Sequence, residues 1–160
     1  MNKHILKFER KLAKLARLMA DGYGESEEAF NLRDEMEQME YNINDEEDTK
    51  FIRELSSDLY MIEDYEILDP APDDISPFEY EANCLTHNWT RCLEILRYDM
   101  PELRNETRAY HRGLIYARLK CYSSAIEFYK YAIKLNKWNI TYRFDLAWCW
   151  CDCTIRNMFL

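Results

Sequence analysis

Gly113-Leu-Ile-Tyr116-Ala-Arg-Leu-Lys-Cys-Tyr122-Ser-Ser-Ala125-Ile-Glu-Phe-Tyr129-Lys-Tyr-Ala132 is the stretch whose reading decides the fold. Small residues stand at Gly113, Ala125 and Ala132, and tyrosines at Tyr116, Tyr122 and Tyr129. The small residues allow two antiparallel helices to approach closely, and the rings fill the space between them. A pair built this way leaves apolar surface on its flanks, so it needs neighbouring helices to bury it.

The rest of the chain agrees with a helical reading. Its 160 residues include only 3 Gly and 4 Pro, too few for the many turns of an all-β fold. A composition of 48% hydrophobic and 32% charged residues is that of a globular chain. Ile5, Phe8, Leu12, Leu15 and Met19 recur at spacings of 3, 4, 3 and 4, which predicts a helix from Lys3 to Ala20. Asp21-Gly22 then stops it. Ser26 is placed to cap a second helix, with the matching seam Ala29, Leu32, Met36, Met39 and Ile43. The two seams predict an antiparallel hairpin, with the basic face of the first helix beside the acidic face of the second.

Asn44 or Asp45 caps a third helix, striped with Phe51/Ile52, Leu55, Leu59 and Ile62 and ending near Asp64. The Pro- and Asp-rich stretch beyond it reads as a linker. The expected organisation is an N-terminal helical region at 1–67, a linker at 68–77 and a helical array at 78–160. Within the array, helices are expected over Phe78–His87, Trp89–Tyr98, Glu106–Leu119, Ser123–Leu135, with Ser123 as N-cap, and Ile140–Met158.

Gly113, Tyr116, Tyr122, Ala125, Tyr129 and Ala132 follow the spacing of a tetratricopeptide repeat (TPR), and the chain resembles that family over Glu106–Asn139. The resemblance implies a helix–turn–helix unit that stacks on similar units and presents its first helices to a partner. The pattern is incomplete. Ala109 stands where the family has a large residue, Arg112 where it has Leu, and Lys137 where it has Pro. One repeat later, Leu146-Ala147 and Trp150 fit a following first helix. One repeat earlier, Trp89, Cys92 and Leu96 fit, but Asp99 replaces the last small residue. The N-terminal half, through Leu32-Arg-Asp-Glu-Met36, Asp45-Glu-Glu and Leu55–Asp64, is similar to uncharacterised bacterial proteins with a TPR-like tail. That similarity implies no activity.

Carried over by register, the groove-facing positions are Thr107, Tyr110, Leu114 and Arg118 on one helix, then Thr141, Phe144, Trp148 and Cys151 on the next. Tyr110, Leu114, Arg118, Phe144 and Trp148 are the candidate partner contacts. The set is aromatic and apolar, suited to a helix or extended peptide and unlike the Lys/Asn/Arg clamp that grips a terminal carboxylate. The protein's own N-terminal hairpin is the competing occupant. The last helix is apolar on more than one face through Trp148, Cys149, Trp150, Cys151, Ile155 and Phe159, which suggests a partner or self-association there, with burial under the N-terminal bundle as the rival.

Charge bounds the function further. Residues 1–20 carry net +5, residues 21–81 net −19 and residues 82–160 net +5, for −9 in all. An acidic middle repels phosphates, so nucleic acid is not an expected partner. A second reading makes residues 21–81 an acidic decoy for a basic protein that normally binds nucleic acid. No apolar run reaches the roughly 18 residues of a membrane span. The six cysteines lack a secretory context and read as reduced core thiols of a cytoplasmic protein. Cys149, Cys151 and Cys153 alternate, which turns successive thiols roughly 200° apart on a helix, so they do not converge on a metal. No phosphate loop, nucleophile elbow or metalloprotease spacing occurs, so neither a cofactor nor an enzymatic activity is expected. The abundant carboxylates read as exposed helix faces.

Overall fold

The computed structural model describes residues 2–63, 78–100 and 103–158. Among these residues the chain forms eight α-helices and one π-helical turn, with no strand, so the fold is all-α. Helix α1 spans Lys3–Ala20, α2 Glu27–Tyr41 and α3 Glu46–Tyr60. Helix α4 covers Phe78–Leu85, and α5, Trp89–Glu94, continues into the π-turn Ile95–Asp99. Helices α6, Asn105–Arg118, α7, Tyr122–Leu135, and α8, Ile140–Asn157, complete the array. The expected linker at 68–77 lies outside the described residues.

Local chemistry sets most helix starts. The Asn2 side chain accepts the His4 amide at 2.9 Å to begin α1. Ser26 accepts from Ala29 at 3.2 Å for α2, and Asp45 from Asp48 at 3.0 Å for α3. Gly22, at φ +86°, adopts the left-handed conformation that ends α1. Lys14 pairs with Glu28 at 2.6 Å, and Lys11 pairs with Glu35. Residue numbers fall on one helix as they rise on the other, so α1 and α2 run antiparallel with basic and acidic faces opposed. Met19, expected in the α1 seam, is instead exposed at the helix end.

The α6–α7 pair is tight for the reason its sequence suggests. A Cβ placed on Gly113 would lie 2.8 Å from Cε1 of Tyr129, so only glycine admits that ring without a shift. Ala125 and Ala132 are fully buried, and Tyr116 stacks on Phe128 with ring centroids 5.3 Å apart. Lys120 takes φ +66°, and the Cys121 amide returns to the Tyr116 carbonyl at 2.8 Å, closing the turn as a helix C-terminal motif.

Helix α7 starts at Tyr122, with Cys121 in the cap position and no local side-chain cap. Ser123 is therefore not the N-cap expected from sequence. Its hydroxyl turns to Arg156 and Cys153.

One apolar cluster runs from Ile5, Phe8 and Leu12 through Leu55, Leu93 and Leu96 to Tyr116, Phe128 and Cys149. The N-terminal hairpin and the C-terminal array thus share a core. Helix α1 lies against α7 and α3, and Phe144 and Trp148 remain exposed.

Candidate partner-binding groove

Side-chain contacts reach from α6 to α8. The Tyr110 hydroxyl donates to Asp145 at 2.6 Å, and its ring lies 4.5 Å from that of Tyr142. Glu106 accepts from the Tyr142 hydroxyl at 2.8 Å and from Asn136 at 3.0 Å. These contacts join the two helices that carry the five candidate residues.

The five candidate contacts divide into two kinds. Tyr110 and Leu114 are partly buried and pack against the core. Arg118 is exposed. Phe144 and Trp148 stand 61% and 58% exposed, with rings edge to face at 6.1 Å. Ile155 continues this stripe at 58% exposure. Trp150 lies on a different flank of α8, under the Lys130 ammonium of α7. On the core side of α8, Tyr142 and Cys149 are buried.

Two buried polar junctions hold the array to the N-terminal helices, one through α3 and one through α1, and both involve carboxylates that sequence reading assigned to exposed faces. At the first, Asp58 of α3 is 2% exposed. It accepts from Nε and Nη2 of Arg97 at 2.9 and 2.7 Å and from the Tyr116 hydroxyl at 2.6 Å, while Arg112 approaches to 3.7 Å. Glu54 adds a contact to Arg97 at 3.3 Å. Burial and the Asp58 carboxylate raise the Tyr116 hydroxyl well above its ordinary pKa. Arg97 sits within the π-turn, where the extra residue per turn redirects side chains.

At the second junction, Glu9 of α1 is fully buried against the N-terminus of α7, and Arg156 of α8 lies 3.5 Å from its second oxygen. Burial raises the Glu9 pKa, and the opposing pulls of Arg156 and Ser124 do not reverse it. A sequence signal for both carboxylates existed. Glu9 falls between Ile5 and Leu12 on the α1 seam, and Asp58 follows Leu55 by three residues on the α3 stripe.

His111 faces α4, where its Nδ1 meets the Tyr80 hydroxyl at 3.1 Å and its ring packs edge-on to Tyr80 and Tyr110. Burial lowers its pKa to about 4, so it is neutral near pH 7. Among the described residues, no cluster of three or more His, Cys, Asp or Glu side chains is arranged to hold a metal ion. No helix among them is long and apolar enough to cross a membrane. Comparison with protein-family models, with curated proteins and with solved structures gives no match to this chain.

Proposed function

We propose that the chain is a cytoplasmic protein-interaction module in which α6 and α8 act as successive first helices of a TPR-like array. Its ligand is a helical or extended apolar segment of another protein. The observation that carries this reading is the exposed Phe144–Trp148 pair on α8, the helix that Tyr110 of α6 contacts through Asp145. Large aromatic side chains held at fixed spacing on a rigid helix are the usual anchors of a protein interface. Both rings stay exposed with the N-terminal hairpin in place, which argues against that hairpin as the groove's occupant.

The test is a capture experiment from the native host with Phe144→Ala/Trp148→Ala beside the unchanged protein. Because both rings are mostly solvent-exposed, the double variant should keep its helical circular dichroism and melt within a few degrees of the parent, yet lose the captured protein. Unfolding of the variant would make the two residues structural and end the groove reading.

A second reading, the acidic decoy, draws on the outer face of α2. There Phe30 and Tyr41 stand 49% and 88% exposed among the exposed carboxylates of Glu27, Asp34, Glu37 and Glu40. It differs in its salt response. A basic partner held by that face dissociates steeply as ionic strength rises, whereas an apolar ligand in the groove does not.

A further inference from the structure

Cys84, near the end of α4, and Cys92, in the middle of α5, face one another across the hairpin with their sulfur atoms 3.5 Å apart. The turn that brings them together is well fixed. His87 takes φ +58°, Asn88 caps α5, and Arg91 reaches back to Glu79 at 2.7 Å. The two thiols differ in access. Cys84 is partly exposed, whereas Cys92 is fully buried. Burial and the neighbouring thiol push Cys92 up to about 12, so at neutral pH it stays protonated and attacks little on its own. The other cysteines on α8 turn elsewhere. Cys149 meets the Tyr122 carbonyl at 3.5 Å, and Cys153 the Ser123 hydroxyl at 3.7 Å.

We propose that Cys84 and Cys92 form a reversible redox pair, in which Cys84 is the peroxide-accessible thiol and Cys92 the resolving thiol. The oxidant is a hydroperoxide. The Cys84 thiolate attacks the peroxide, the O–O bond breaks, and Cys84 becomes a sulfenic acid as water or an alcohol departs. The Cys92 sulfur then displaces hydroxide from Cys84, its proton leaves as part of water, and the S–S bond forms. Two thiols lose two electrons in total, and a reducing thiol restores them by exchange. Bond formation requires the sulfurs to close by roughly 1.5 Å. The product staples α4 to α5 and so fixes Tyr80 against His111.

The experiment uses the full chain, reduced and then treated with a small excess of hydrogen peroxide, blocked with iodoacetamide and cut with trypsin. Arg91 lies between the two cysteines, so trypsin separates them and only a bridge keeps their peptides together. The expected result is one linked pair joining the Cys84 peptide to the one beginning at Cys92, lost on adding dithiothreitol. The melting temperature of the oxidised protein should also shift upward by several degrees, a shift abolished in Cys84→Ser. In Cys92→Ser, Cys84 should instead accumulate as sulfenic acid, trapped by dimedone. The proposal is overturned if both cysteines are alkylated after peroxide, if Cys84 proceeds to sulfinic acid in the unchanged protein, or if the bridge joins Cys149 and Cys153. Should a serine variant fail to fold, the linked-peptide result on the unchanged chain still decides.

Discussion

The Glu9 carboxylate on α1 accepts both the backbone amide and the hydroxyl of Ser124, at 2.6 and 2.8 Å, and thereby caps α7 from 115 residues away. The start of α7 has no local cap, so its exposed amides and positive helix end are met by a charge supplied in the tertiary fold. Arg156 completes the junction from α8, donating to the Lys120 carbonyl at 2.6 Å while lying over the Tyr122 ring.

Replacing Glu9 with Ala should destabilise the protein by about 2–4 kcal/mol, because it strands the Ser124 amide and leaves Arg156 without its carboxylate. The Gln variant should lose less. The pH dependence has a definite sign. Burial raises the native pKa of Glu9 above the ordinary value of 4.5, so the folded chain holds a proton that the unfolded chain has released. The stability of the parent relative to Glu9→Gln should therefore fall as pH rises above 4.5 and level off once Glu9 ionises in the native state. Urea unfolding of both proteins across that range measures it, and a relative stability that climbs with pH would contradict the assignment.

His111 works in the opposite direction. Its pKa is depressed from 6.5 to about 4 by burial, so the unfolded chain takes up a proton that the native imidazole declines. Its contribution is intact above pH 6.5 and is lost as pH falls towards 4. Compared with His111→Gln, the parent should lose up to about 3 kcal/mol over this window. NMR titration of the His111 ring gives an independent check, and a midpoint near 6.5 would sink the prediction.

Asp58→Ala should be the most damaging single change at the junction of α3 with the array, at about 3–5 kcal/mol, since it leaves the guanidiniums of Arg97 and Arg112 facing a vacated buried site. Tyr116→Phe removes one donor and should cost about 1–2 kcal/mol. Thermal melts of both variants, with the order Asp58→Ala below Tyr116→Phe below the parent, test the ranking.

Gly113→Ala introduces a methyl group 2.8–2.9 Å from two carbons of the Tyr129 ring. The expected loss is about 1–3 kcal/mol from overpacking. A Tyr129→Leu background should absorb part of it, so the double variant should lose less than the two single losses combined.

The local parts of this fold were legible and the distant ones were not. Ser26 and Asp45 cap the helices expected of them because a cap is a matter of three neighbouring residues. The crossing of α6 and α7 could be read from Gly113, Ala125 and Ala132, since lack of bulk has one common use at such spacing. Ser123 misled because its helix is capped by Glu9, which no nearby residue announces. Glu9 and Asp58 themselves were hidden among 30 acidic residues, and only their place on apolar seams marks them as different. The π-turn carried no compositional sign. Among the candidate contacts, Phe144 and Trp148 are exposed on α8, and the engagement of Tyr110 by Asp145 depends on how α8 lies against α6.

The π-turn at Ile95–Asp99 makes chain length, as well as residue identity, part of what joins the two halves. Removing one residue there would restore regular α-helical winding and rotate the downstream chain by about 100°. Arg97 would then swing away from α3 with every side chain in the junction still present, so a silent-looking deletion would disconnect what no single substitution at the surface could.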